Sequence, residues 1–279
     1  MVFIVTCCYL LYSLLHNNNE YHQLKGNNNI ILNTTITEVA AASNLQNNVK
    51  VPKCQVDMSG SYCVKPYFVP ERVDCLKYKS PSIDSSGAWY LPQNFMYKFD
   101  QKFANAILDR VISGMSVLEL GAGLGCYTYY FQDSGKVLSI DGYEGAANVE
   151  EMSEGFIKQA DLTKIQDFGS PAQQLYYDWV VCMEVAEHIP PEHEHTFLIN
   201  LVSNAKRGIL LSWGTPHQHG HGHVNLKSNA YVIDMMQNFG FDYDENTSLY
   251  LRGEAEYGWF KGSTMIFRKK EGNETVFLE

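Results

Sequence analysis

Three stretches of this 279-residue chain bring reactive side chains close together. The first is Glu119-Leu120-Gly121-Ala122-Gly123-Leu124-Gly125, in which three glycines alternate and a carboxylate stands two positions ahead of them. Alternating glycines leave bare main chain that turns through positive φ and lets a ligand lie against it. Asp141 follows Gly121 by twenty positions, the distance at which nucleotide-binding βαβ units place a carboxylate for ribose hydroxyls. The second stretch, Glu184-Val185-Ala186-Glu187-His188, holds two carboxylates and an imidazole at i, i+3 and i+4. If it opens a helical turn, the three share one face and suit proton transfer or a divalent ion. In the third stretch, residues 212–225, His217, His219, His221 and His223 occupy every second position. The plain reading of such a His/Gly loop is a solvated, flexible lid; the chemical reading makes His223 a further metal ligand.

Two cofactors compete for the glycine loop. The dinucleotide pattern Gly-x-Gly-x-x-Gly requires glycine at 126 to bring a pyrophosphate onto the helix N-terminus, and the chain has Cys126 there. Glu119 instead suits a cationic ligand. S-adenosylmethionine (SAM) carries a sulfonium and an ammonium and no phosphate. A tight strand-to-helix turn without any ligand is the bland alternative, and Asp141 at its spacing argues against it.

Glu119-x-Gly121-x-Gly123-x-Gly125 resembles the first motif of class I SAM-dependent methyltransferases. Asp141 matches their ribose-binding acid, and Gln159-Ala160-Asp161-Leu162 resembles the segment whose Asp161 would contact the adenine amino group. Residues 177–190 are similar to the fourth-strand motif of the same families. The similarity covers residues 90–270. It implies a doubly wound α/β domain, a mostly parallel seven-stranded sheet with an antiparallel last strand, and SAM across the strand carboxyl ends. Glu-x-x-Glu-His with a downstream histidine also resembles the small-RNA 2′-O-methyltransferases, in which this set holds magnesium. That likeness implies Glu184, Glu187, His188 and His223 as ligands. Ubiquinone-pathway O-methyltransferases carry a similar Glu-x-x-Glu-His.

The chemistry expected is methyl transfer to an oxygen or nitrogen, with His188 as general base and Glu184 orienting the acceptor. Trp89, Tyr90 and Trp213 are candidate walls of the site. The expected acceptor is a small molecule or a glycan-like group. A catalytically silent, membrane-anchored SAM-binding domain is the alternative of a different class. Ribose methylation of RNA is a third reading. The net charge of −10 and pI of about 5.4 weigh against nucleic acid, which needs a basic face.

These residues need a scaffold, and the hydrophobic pattern supplies one. Phe95, Phe99, Phe103, Ile107 and Val111 recur every fourth position and predict an amphipathic helix ended by Ser113-Gly114. Strands are predicted over 116–120, 136–140, 156–159, 179–183, 208–213 and 264–268, with a weaker one at 241–243. Helices are predicted over 125–133, 145–153, 192–204 and 227–238, the last capped by Ser228 and closed by Gly240. This alternation means a sheet covered on both faces.

Ahead of this domain, 89–279, lies an N-terminal extension in three parts. Residues 1–16 contain an apolar run, 2–15, that is read as a signal peptide or signal anchor. A secretory or membrane-anchored location follows from that reading, with a cytoplasmic one as alternative and a buried strand or helix as the bland reading of the run. Residues 17–51 are an Asn-rich linker. Residues 52–88 form a lead-in with Cys54, Cys63 and Cys75, two of which could pair in an oxidising lumen. Cys126 and Cys182 read as plain buried thiols. Asn33, Asn246 and Asn273 open N-x-S/T sequons.

Overall fold

The computed structural model describes residues 82–91, 98–168 and 177–270, with the backbone of Tyr62–Cys63 and Met96–Tyr97, which pair antiparallel. The apolar run, the Asn-rich linker, Cys54, Cys75 and most of the lead-in lie outside the described residues. Among the described residues no helix is long and apolar enough to cross a membrane.

Seven strands form one sheet: β1 Ser116–Leu120, β2 Ser139–Glu144, β3 Lys158–Gln159, β4 Tyr177–Met183, β5 Ala205–Ser212, β6 Phe241–Tyr243 and β7 Met265–Lys269. Their order is β3-β2-β1-β4-β5-β7-β6. β7 runs antiparallel to both neighbours and the other pairings are parallel. The order reverses between β1 and β4, so a crevice opens at their carboxyl ends, where open α/β sheets bind ligands.

Because both faces are covered, the central strands are apolar on both sides. Along β4, Trp179 and Val181 join one core with Phe103, Ile107 and Phe131, while Val180 and Cys182 join the other with Phe197 and Leu211. Cys126 and Cys182 are both buried, as expected. The first predicted helix begins later than its stripe suggests. Asp100 caps α1, Gln101–Ile107, by accepting from the Phe103 amide at 2.9 Å, and a π-helical turn, Leu108–Ile112, completes it before Gly114. Phe103, Ile107 and Val111 are buried, Phe99 precedes the cap, and Phe95 lies outside the described residues.

The connecting helices are α2 Cys126–Asp133, α3 Val149–Met152, α4 Glu194–Val202 and α5 Asn229–Asn238. Ser228 caps α5 through the Tyr231 amide, and Gly240 follows it with φ +82°. Two helices between β6 and β7 have no counterpart in the hydrophobic pattern: α6 Glu245–Glu254 and α7 Gly258–Ser263. The sequon at Asn246 falls in the first turn of α6, where the Ser248 hydroxyl is buried and bonded to the Asp244 carbonyl.

Candidate functional site

The glycine loop leaves β1 at the switch point. Gly121, Gly123 and Gly125 take φ of +78°, +57° and +83°. A Cβ at Gly121 would lie 2.0 Å from Val185 Cγ2, and one at Gly125 would lie 2.7 Å from Ile157 Cδ1. Conformation and packing both demand glycine there. The amides of Gly121 and Ala122 donate to the Tyr143 carbonyl at 2.8 and 2.9 Å, which fixes the loop to β2.

Two carboxylates border this loop. Glu119 is buried, accepts from Thr128 Oγ1, and has its pKa pushed by burial from 4.5 to about 8. Glu144 accepts from the amides of Gly123 at 2.9 Å and Ala146 at 3.2 Å, and burial raises its pKa too. The sequence spacing selected Asp141 for this place, and the structure corrects it. β2 continues to Glu144, so Asp141 sits mid-strand opposite Leu118 and accepts from Tyr177 Oη at 3.0 Å. Asp141 does not line the cavity and Glu144 does. Asp161 is likewise turned to its own loop. Its carboxylate accepts from the Thr163 amide and hydroxyl and pairs with Lys164 at 2.8 Å, while its neighbour Leu162 reaches the cavity wall.

At the end of β4 the Glu-x-x-Glu-His segment departs from the expected helical face. Glu184 adopts φ +56°, a strained value for a side-chain-bearing residue, and a 3₁₀ turn, Ala186–His188, follows. Glu184 Oε1 accepts from Ser212 Oγ at 2.8 Å and Ser263 Oγ at 3.1 Å, so it is tied to the ends of β5 and α7. Burial raises its pKa. Glu187 is buried, and neither carboxylate oxygen has a donor in full hydrogen-bond geometry, although the Glu187 and Gly214 amides and the Glu184 carboxyl lie close by. Burial and the nearby Glu184 carboxylate hold its pKa well up. Ligand atoms of Glu187, His188 and His223 all lie within 4.8 Å of one another. Glu184 is not part of that cluster, which corrects the four-ligand expectation to three.

The histidine loop is pinned, not free. The amides of Val224 and Asn225 donate to the Glu187 carbonyl at 2.9 and 3.0 Å. Asn225 Nδ2 donates to buried Glu194, and Trp213 Nε1 donates to the Asn225 carbonyl. Trp213 is thus a core residue, and Tyr90 is 57% exposed, so neither walls the site. Nδ1 of His188 faces the Gly222 carbonyl at 3.2 Å, and Nδ1 of His223 faces the Gln218 carbonyl at 2.6 Å. A carbonyl only accepts, which assigns a proton to Nδ1 in both rings and leaves Nε2 as the atom that faces away from that bond. Burial, with His223 beside it, pushes the His188 pKa down to about 4, so the ring is neutral at pH 7.

The loop and the cluster share one cavity of about 670 Å³. Its cover is a turn that the sequence reading placed in an irregular lead-in. Gly87, at φ +86°, packs so tightly on the His188 carbonyl that a Cβ would lie 1.9 Å from the oxygen. Trp89 meets the His188 ring edge-on at 5.0 Å, as a wall of the site. Asn148 anchors this cover by exchanging two hydrogen bonds with the Leu91 backbone. Trp259 and Phe260 of α7 form a further wall, and Lys98 also lines the cavity. Asp100 positions that wall: its second oxygen accepts from the Glu256 amide at 2.6 Å, just ahead of α7. Glu144 was open to sequence inspection as the last polar residue before Gly145. Lys98 and α7 carried no recognisable signal.

No protein-family profile and no curated protein matches the chain. Solved structures similar to it include magnesium protoporphyrin IX methyltransferase from Synechocystis with bound SAH, at 16% identity and TM-score 0.44, covering 61% of this chain and 81% of that one. Another is 1,6-didemethyltoxoflavin-N1-methyltransferase from Burkholderia thailandensis, at 13% identity and TM-score 0.42, covering 61% and 77%. The methyltransferase domain of bacterial CtHen1-C is similar at 16% identity and TM-score 0.42, covering 61% and 97%. Similarity at this level does not reach to chemistry, which rests on the residues themselves.

Proposed function

We propose that this protein is a SAM-dependent methyltransferase acting on an oxygen or nitrogen of a small acceptor. One observation carries the reading. A bare glycine loop flanked by two acids, the buried Glu119 and the half-buried Glu144, opens into the same cavity as a neutral imidazole, His188. Acids with raised pKa values call for a cation, and a sulfonium nucleoside with an ammonium supplies one. Glu144 stands where ribose hydroxyls would donate, the role first expected of Asp141. Leu162 stands where an adenine edge would pack.

When bound, SAM supplies an activated methyl whose carbon–sulfur bond breaks as the acceptor's lone pair forms the new bond. The chain's own work is positioning, drying and proton removal. The cover at Gly87–Trp89 and the wall at Trp259 exclude water. Glu184, held by two serines on one oxygen, orients the acceptor with the other. His188 takes the acceptor's proton at Nε2.

The unbonded oxygens of Glu187 favour a second reading of this cluster. One carboxylate and two imidazoles fit a divalent ion held by Glu187, His188 and His223, which would supply Lewis acidity to a bound hydroxyl. The cavity lining contains Glu119, Glu144, Glu184 and Glu187 against a single lysine, an unfavourable surround for a polynucleotide acceptor.

The test is incubation with methyl-labelled SAM and a fractionated small-molecule extract. Label transfer with matching SAH release, lost in His188→Ala, is the expected result. SAM binding without any SAH release would leave a silent binding domain. Activity that survives EDTA keeps His188 as base; activity lost to EDTA and restored by Mn²⁺ assigns the ion.

A further inference from the structure

SAM has a negative end as well as a positive one, and the acids described above serve only the positive end. Among the described lining residues the cavity holds one lysine or arginine, Lys98. Its ammonium lies 5.2 Å from the Trp259 ring centroid and 5.7 Å from that of Tyr257. The two rings stack at 4.6 Å with 8° between their planes. No ion pair to Lys98 is present among the described residues, although seven other lysines and arginines make one. The rings steady the ammonium by cation–π attraction and cover the aliphatic stem. Asp100, two residues along, fixes both the start of α1 and the approach to α7, so Lys98 and its shelf are held by one anchor. A chain of net charge −10 thus keeps a cation, with no carboxylate partner among the described residues, on the wall of a cavity lined by four acids.

We propose that Lys98, on the Tyr257–Trp259 shelf, is the carboxylate-binding group of this cavity. The carboxylate comes from one of two sources: the amino-acid end of the cofactor, or an acidic group on the acceptor. This inference rests on the SAM reading above and adds to it the recognition of an anion. Glu119 and Glu144, ionised once a cation is bound, disfavour a carboxylate beside them, and Lys98 is the one cationic group among the described lining residues that can receive it. A charge-assisted pair of this kind contributes about a tenfold or greater difference in affinity.

Calorimetry on the full chain tests it with three probes. They are SAH, its decarboxylated analogue carrying an aminopropyl chain, and benzoate added to SAH-saturated protein. The comparison is wild type against Lys98→Met, which keeps the stem on the rings, and Lys98→Arg, which keeps the charge. A cofactor source is expected to show as about a tenfold loss of SAH affinity in Lys98→Met, rescue in Lys98→Arg, and equal binding of the decarboxylated analogue by all three. An acceptor source shows as unchanged SAH affinity with benzoate binding lost in Lys98→Met and kept in Lys98→Arg. If Lys98→Met binds SAH and benzoate as the wild type does, the proposal is overturned while the SAM reading stands. If the wild type does not bind SAH, the SAM reading itself fails and takes the proposal with it.

Discussion

Glu119 gives a proton-counting test of the cofactor site. Its pKa rises from 4.5 to about 8 because burial penalises the charged form. At about 1.4 kcal/mol per unit, keeping this acid buried and ionised costs on the order of 5 kcal/mol. The folded protein therefore holds a proton there at pH 7 that the unfolded chain does not, and a group with pKa 8 is about 0.9 protonated at that pH. Cation binding beside it restores the ionised form and expels that proton. Titration of SAM in buffers of differing ionisation enthalpy at pH 7 is expected to show close to one proton released per cofactor bound. In Glu119→Gln, whose amide can still meet Thr128 Oγ1, the release is expected to vanish and the affinity to drop about tenfold or more. The sign carries over to stability. Between pH 4.5 and 8 the folded state binds more protons than the unfolded one, so the wild type loses stability as pH rises through that window. Glu119→Gln is expected to decline less steeply, because Glu144, Glu184 and Glu187 with their raised pKa values still contribute. Equal proton release in wild type and variant, or a variant that weakens as steeply with alkali, would refute the assignment.

Three other outcomes follow from the same geometry. Glu187→Gln is expected to stabilise the unliganded fold at pH 8.5 by about 1–3 kcal/mol in chemical denaturation, because it removes a buried carboxylate lacking hydrogen-bond partners. The same variant should lose any rise in melting temperature that Mn²⁺ gives the wild type. Gly121→Ala forces positive φ on alanine and drives its Cβ into Val185. It should cost about 2 kcal/mol or more in denaturant titrations and abolish SAH binding. His188→Ala should lower the turnover number by about 10²–10⁴ while leaving SAH affinity within a factor of a few.

The legible part of this protein was what period and spacing encode. The β/α alternation gave the covered parallel sheet, the resemblance to class I methyltransferases implied its antiparallel last strand, and the glycine loop marked the switch point with Gly121, Gly123 and Gly125 in the expected place. Strand ends were less legible. Asp141 satisfied the twenty-residue rule, yet β2 runs on through Gly142 and Tyr143, and the acid that meets the loop is Glu144. Glu184 was read into a helical turn because i, i+3 and i+4 spacing suits one; two serines from distant elements, Ser212 and Ser263, hold it in the left-handed region instead. The histidine loop looked mobile from composition, but hydrogen bonds to the Glu187 carbonyl, more than thirty residues away in sequence, fix it. Lys98 and the Tyr257–Trp259 shelf are joined only by tertiary contact, so no local pattern reveals them.

A crystal structure of the protein with SAH tests the cofactor site most directly. The expected result is the nucleoside lying over residues 121–125, its ribose hydroxyls on Glu144 and its sulfur facing the His188 side of the cavity. A ligand bound elsewhere, or a glycine loop still packed shut in crystals grown at saturating SAH, would contradict it.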